Sequence, residues 1–176
     1  MTSMPAFHVR RLCFTIASVG VFAGACARAP RASGDNDLVR NGLARVRAAT
    51  ARFVSLDTAV AAGYARDVSQ CIAHPQHGAM GFHHINRAYV DTRIEVERPE
   101  FLLYERQADG RYTLTAVEYI IPFRLWPRDS VPPTVFGLDL RREEELRLWY
   151  LHMWAWTENA AGLFADWNPA IRCPTG

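Results

Sequence analysis

The sequence contains no lysine; all 20 of its basic residues are arginine. It also lacks the short motifs that mark nucleotide or haem chemistry: there is no GxGxxG, no GxxxxGK and no CxxCH. The zinc-helix signature HExxH and the serine-nucleophile elbow GxSxG are missing too. Beyond residue 37 the only serines are Ser55, Ser69 and Ser130, none in a nucleophile context. These absences argue against nucleotide use and serine hydrolysis. No apolar run reaches the roughly 20 residues that a membrane-spanning helix needs. Leu12 to Ala25 comes nearest and falls short.

That run has the form of an export signal. Arg10 and Arg11 supply the positive n-region, and LCFTIASVGVFAGA the apolar h-region. Ala23-x-Ala25 reads as an ordinary signal-peptidase site. Ala23-Gly24-Ala25-Cys26 also resembles a bacterial lipobox, in which Cys26 takes lipid, although Ala23 stands where Leu is usual. Both readings cut after Ala25. The lipoprotein reading is preferred because Cys26 sits at the cut and a tether-like stretch follows. It implies a lipid-membrane partner through Cys26 and an outer-membrane protein facing the periplasm. The arginine pair hints at twin-arginine export, but Phe14 is one place late for that motif.

The expected organisation is a signal peptide at 1–25, a lipidated Cys and flexible tether at 26–37, and one domain at 38–176. Removing residues 1–25 takes away Arg10 and Arg11 and no acid, so the net charge of +2 becomes zero. A neutral balance without a basic run argues against nucleic acid as a partner. Of the four cysteines, Cys13 leaves with the signal and Cys26 takes the lipid. Cys71 and Cys173 remain, and in an oxidising compartment they most simply pair. The alternative is a redox or metal pair of thiols, against which stands the lack of a CxxC spacing.

Periodicity predicts a helix over Leu38–Phe53, with Leu43, Val46, Thr50 and Phe53 on one stripe. Ser55 offers the N-cap of a short second helix ended by Gly63. Tyr64 to Gly78 reads as loop. Strands follow from Met80, with Phe82, His84 and Asn86 on one face and Gly81, His83 and Ile85 on the other. Phe101 to Phe123 is a hairpin around Asp109-Gly110. Pro122 to Pro133 is a surface loop, Arg141 to Arg147 a charged helical turn, and Leu148 to Trp156 an aromatic strand. Helices followed by strands make an α+β fold, with helices packed on a curved, mainly antiparallel sheet of at least four strands. A cystatin-like or NTF2-like roll fits that order by analogy of shape.

Polar residues inside apolar strands carry the candidate chemistry. Glu118 lies mid-strand in TAVEYIIP, where a carboxylate is costly to bury unless paired or metal-bound. His152 lies in WYLHMWAW, on the expected face of Tyr150, Trp154 and Trp156. Only one of His83 and His84 can share a face with these. Two imidazoles and a carboxylate suit zinc, iron or copper. Without metal they suit acid–base catalysis of a small molecule. The structural alternative is an envelope protein in which Glu118 pairs with Arg93 or Arg124. His74, His77 and Met80 offer a softer, copper-carrier-like set. Trp126, Trp149, Trp154, Trp156 and Trp167 would floor a pocket for an apolar or sugar-like ligand, or be core. Asp166, in Asp166-Trp167-Asn168-Pro169, is a weaker catalytic candidate.

GAMGFHHIN, PEFLLYE with AVEYIIP, PPTVFG, LHMWAW and GLFADWNP, in that order, resemble a family of small exported bacterial proteins with no known activity. The likeness runs from about Gly63 to Cys173. It implies Gly-x-His at His83, Val-Glu-Tyr at Glu118 and Leu-His at His152. The family pattern has an aromatic where this chain has His84, so it favours His83 as the site residue. The resemblance also supports Cys71 and Cys173 as a pair. The expected ligand-binding set is therefore His83, Glu118, His152 and Trp154, the first three as metal ligands.

Overall fold

The computed structural model describes residues 32–66 and 70–174. The signal segment, Cys26 and the start of the tether lie outside the described residues. Helix α1 spans Ala32–Thr50, and a 3-10 turn, Ala51–Val54, continues it. It begins six residues ahead of Leu38, inside the stretch read as tether. Gly34, Asp35, Asn36 and Asp37 disfavour a helix interior. Asp37 accepts from Arg40 three residues on, a pair that supports the helix there. Val46, Thr50 and Phe53 are buried, as the stripe predicts. Helix α2, Leu56–Ala61, is capped by Ser55, which accepts from the Thr58 amide. Gly63 follows with φ 98°, a conformation that favours glycine.

The segment read as loop holds two short strands, β1 (Ala65–Arg66) and β2 (Ile72–His74). Both pair with β3 (Gly78–Ile85), β1 against its end and β2 against its start. These strands are too short to show a period, so turn residues such as Pro75 dominate the local signal. β4 (Phe101–Arg106) and β5 (Tyr112–Pro122) form the expected hairpin. Gly110 turns it at φ 84°, and the Gln107 amide donates to the Arg111 carbonyl at 2.8 Å. β6 (Thr134–Val135) and β7 (Leu138–Asp139) make a separate two-stranded ribbon. β8 (Arg141–Glu143) and β9 (Leu148–Met153) complete the main sheet. Its path runs β1-β3-β4-β5-β9-β8, with β2 beside β3, and every pair is antiparallel.

The fold is α+β, a helix layer against a curled antiparallel sheet. Two local expectations need correction. Arg141–Arg147 is an edge strand and a turn, not a helical turn. Its charges suit an edge, where they discourage further pairing, and Arg147 takes φ 57° in the turn. The last strand ends at Met153, not Trp156. Beyond it, Trp156 turns to the helix side and donates to Thr50 Oγ1 at 3.0 Å.

Strand alternation sorts the core into two. Leu102, Tyr104, Val117, Tyr119, Trp149, Leu151 and Met153 pack with Val46, Phe53, Ala59 and Tyr64 beneath the helices. Ile85, Phe101, Leu103, Ala116, Ile120 and Trp154 form a second cluster on the opposite face, which Ile171 of the C-terminal segment helps cover. Cys71 and Cys173 are disulfide-bonded and hold that segment to the start of β2. Asn168 adds a backbone bridge to Ala79. Gly78, at φ 92°, permits that approach; a Cβ there would lie 2.0 Å from the Asn168 carbonyl oxygen.

Candidate metal centre

His83, Glu118 and His152 stand on the sheet face away from the helices. The pleat requires this. His83 is in register with Leu103, and Glu118 with both Phe101 and His152, so all three share the face of the second core cluster. Glu118 and His152 are direct cross-strand neighbours. His83 is not adjacent to them, because β4 lies between β3 and β5. The three strands are therefore not mutual neighbours, and the side chains meet over β4, with the His83 ring edge-on to Phe101 at 5.6 Å.

Nε2 of His83 lies 3.6 Å from Oε2 of Glu118, and Nε2 of His152 lies 3.4 Å from Oε1. One ligand atom from each residue falls within 4.8 Å of the other two. These gaps exceed the 2.7–3.2 Å of an ordinary N–H···O bond. They run to different oxygens of the carboxyl, and the one-atom-per-residue set is wider than the roughly 3.3 Å edge of a tetrahedron with metal–ligand bonds near 2.0–2.1 Å, so the side chains would have to draw in around an ion.

All three groups are buried, and burial disfavours their charged forms. It lowers His83 to about 4 and His152 to about 3, with neighbouring histidine charge adding to each shift. The backbone at Gly81 and at Asp166 opposes these shifts. Glu118 rises to about 8, first through burial and then through the fields of Asp166, Glu100 and Glu143. Near pH 7 the cluster is therefore two neutral imidazoles and a protonated carboxyl, and its contacts are not ion pairs. Among the described residues, His83 Nδ1 and both ring nitrogens of His152 are buried without a hydrogen-bond partner. Two imidazoles and one carboxyl meeting in one place are a donor set that suits a divalent transition metal.

His83 and Glu118 also border a cavity of about 600 Å³, while His152 stands behind them. Asp166 and Trp167, in the segment 163–168, form part of its wall. Arg141 ties that segment down by donating to the Asp166 carboxylate and to the Phe164 carbonyl. Trp154 Nε1 donates to the Ala165 carbonyl at 2.6 Å.

His84 faces the helices, with its ring against Tyr104 at 5.2 Å, and is outside the cluster. Trp154 is buried beside His152, at 6.3 Å between rings, and does not line the cavity. Its indole is spent on the 163–168 segment, which gives it a packing role. Of the five tryptophans only Trp167 lines the cavity. Trp126, Trp149 and Trp156 belong to the helix-side core or its margin. His74 and His77 stack on each other at 4.3 Å, and His74 Nδ1 accepts from the Gln76 amide at 3.1 Å. Glu118 meets the two histidines rather than Arg93 or Arg124.

Sequence reasoning passed over Glu100. It is almost fully buried, its carboxylate accepts from the Ile120 amide at 3.1 Å, and burial raises it to about 8. Its position just before a strand of buried residues was the available signal.

The chain matches no family model, no characterised protein and no solved structure.

Proposed function

We propose that the protein is a metal-binding domain of the cell envelope, with His83, Glu118 and His152 as ligands to one divalent transition-metal ion. The observation that carries this is the pair of 3.4 and 3.6 Å gaps between buried imidazole nitrogens and a buried carboxyl. Two imidazoles and one carboxylate suit zinc, iron or copper, and zinc is the first choice for a tetrahedral N,N,O set with one open position. The open position would face the cavity that His83 and Glu118 border. A metal there polarises a bound oxygen or activates a water.

Export and a lipid anchor at Cys26 belong to the same reading. The Cys71–Cys173 disulfide supports them, because such bonds persist in oxidising compartments. Among the described residues, no helix is long and apolar enough to cross a membrane.

A metal-free acid–base pair is the second reading, favoured by the raised Glu118 carboxyl. Acid and base would each have to lie within about 2.6–3.2 Å of the substrate atoms they serve, so metal content separates the two readings. The test is metal analysis of the purified protein beside His152→Ala. The expected result is one metal ion per chain, lost in the variant. Equal, substoichiometric metal in both would end the metal reading.

A further inference from the structure

We propose that the cavity takes a small organic acid in its anionic form, with its hydrocarbon body on the apolar wall and its carboxylate on the open side of the metal. This rests on the metal reading above. Two observations carry the ligand class.

The first is the wall. Ile72, Ile85, Phe101, Ile120, Leu148 and Trp167 all line the cavity. At about 600 Å³ it has the size of a small-molecule site. A free inorganic anion would leave this wall in water, whereas a hydrocarbon body covers it. A sugar would turn hydroxyls onto aliphatic side chains, and only one tryptophan is there to stack against its ring.

The second is charge. A dication with Glu118 as its single anionic ligand keeps one net positive charge. Arg87 and Arg124 also border the cavity, and they balance Glu143 and Asp166. The Asp166 carboxylate is already engaged by Arg141 from outside the lining. At least one negative charge is left for the ligand to supply. A buried uncompensated charge is costly, so an anion is favoured over a neutral or cationic analogue of the same shape.

The test uses the zinc-loaded protein, with zinc content measured first. Calorimetric titrations compare 3-phenylpropanoate, its primary amide and acetate. The expected order puts 3-phenylpropanoate at least tenfold tighter than both, with that advantage lost after zinc is chelated. If the acid and amide bind alike, if acetate matches 3-phenylpropanoate, or if none binds to zinc-loaded protein, the ligand class is overturned and the metal reading stands. A protein that takes up no zinc overturns both, and the zinc measurement tells the two failures apart.

Discussion

Replacing Glu118 by Gln should stabilise the metal-free protein while removing its capacity for metal. The Glu118 carboxyl is raised from its ordinary 4.5 to about 8 by burial. The folded state therefore holds a proton that the unfolded chain releases. A raised group contributes stability that is fully present below the unfolded value and is lost as pH rises towards the folded one. The loss runs at about 1.4 kcal/mol per pH unit, so between pH 4.5 and pH 7 it reaches about 3 kcal/mol. Gln keeps the shape of the neutral carboxyl and carries no such loss. Urea melts at pH 5, 6, 7 and 8 measure it as a midpoint difference between the two proteins at unchanged m value. Glu100 is also raised to about 8, so the native protein's own pH dependence has two sources, and only the difference isolates Glu118. The variant should gain over the native protein from pH 5 to pH 8 and then hold level. Zinc at a thousand times its Kd should reverse the order at pH 7, because it adds about 4.1 kcal/mol to the protein that binds it. A native protein that gains stability over the variant as pH rises without metal would refute the reasoning. Glu118 would then be ionised, with charged histidine beside it.

Three other outcomes follow from the same geometry. Zinc affinity should rise about tenfold per pH unit between pH 5 and pH 8, then level off. Glu118 must release one proton, while His83 and His152 are already neutral above about 4 and 3; a flat profile in competition titrations would contradict this. His84→Ala should cost about 1–3 kcal/mol in a urea melt and leave zinc stoichiometry untouched, because the ring packs on Tyr104 across the sheet from the cluster. Reducing Cys71–Cys173, which spans 102 residues, should lower stability by up to about 4–5 kcal/mol. Identical melts with and without reductant would oppose that estimate.

The sequence made the helix stripe, the Asp109-Gly110 hairpin and the opposed faces of His83 and His84 legible, because each shows in a local period or turn residue. It could place Glu118 and His152 on strands, but not opposite each other. Register depends on how β5 and β9 pair, and the long connection between them hides it. The reach of His83 over β4 was hidden for the same reason, since strand order is a tertiary property. The tryptophans misled because aromatic content reports burial, not which face is buried: Trp149 and Trp156 turned to the helix side. β8 was misread because three charged residues at an edge carry no apolar alternation. The cavity itself had no sequence signal. Ile72, Phe101, Leu148 and Trp167 come from distant parts of the chain and meet only after the sheet curls and the C-terminal segment is tied down.

X-ray absorption at the zinc edge of the zinc-loaded protein tests the central claim most directly. The account predicts one zinc per chain in a first shell of nitrogen and oxygen at about 2.0–2.1 Å, with the outer-shell pattern of two imidazoles. In His152→Ala that pattern should fall to a single imidazole or the zinc be lost. A first shell containing sulfur at about 2.3 Å, or a spectrum unchanged by the substitution, would contradict it.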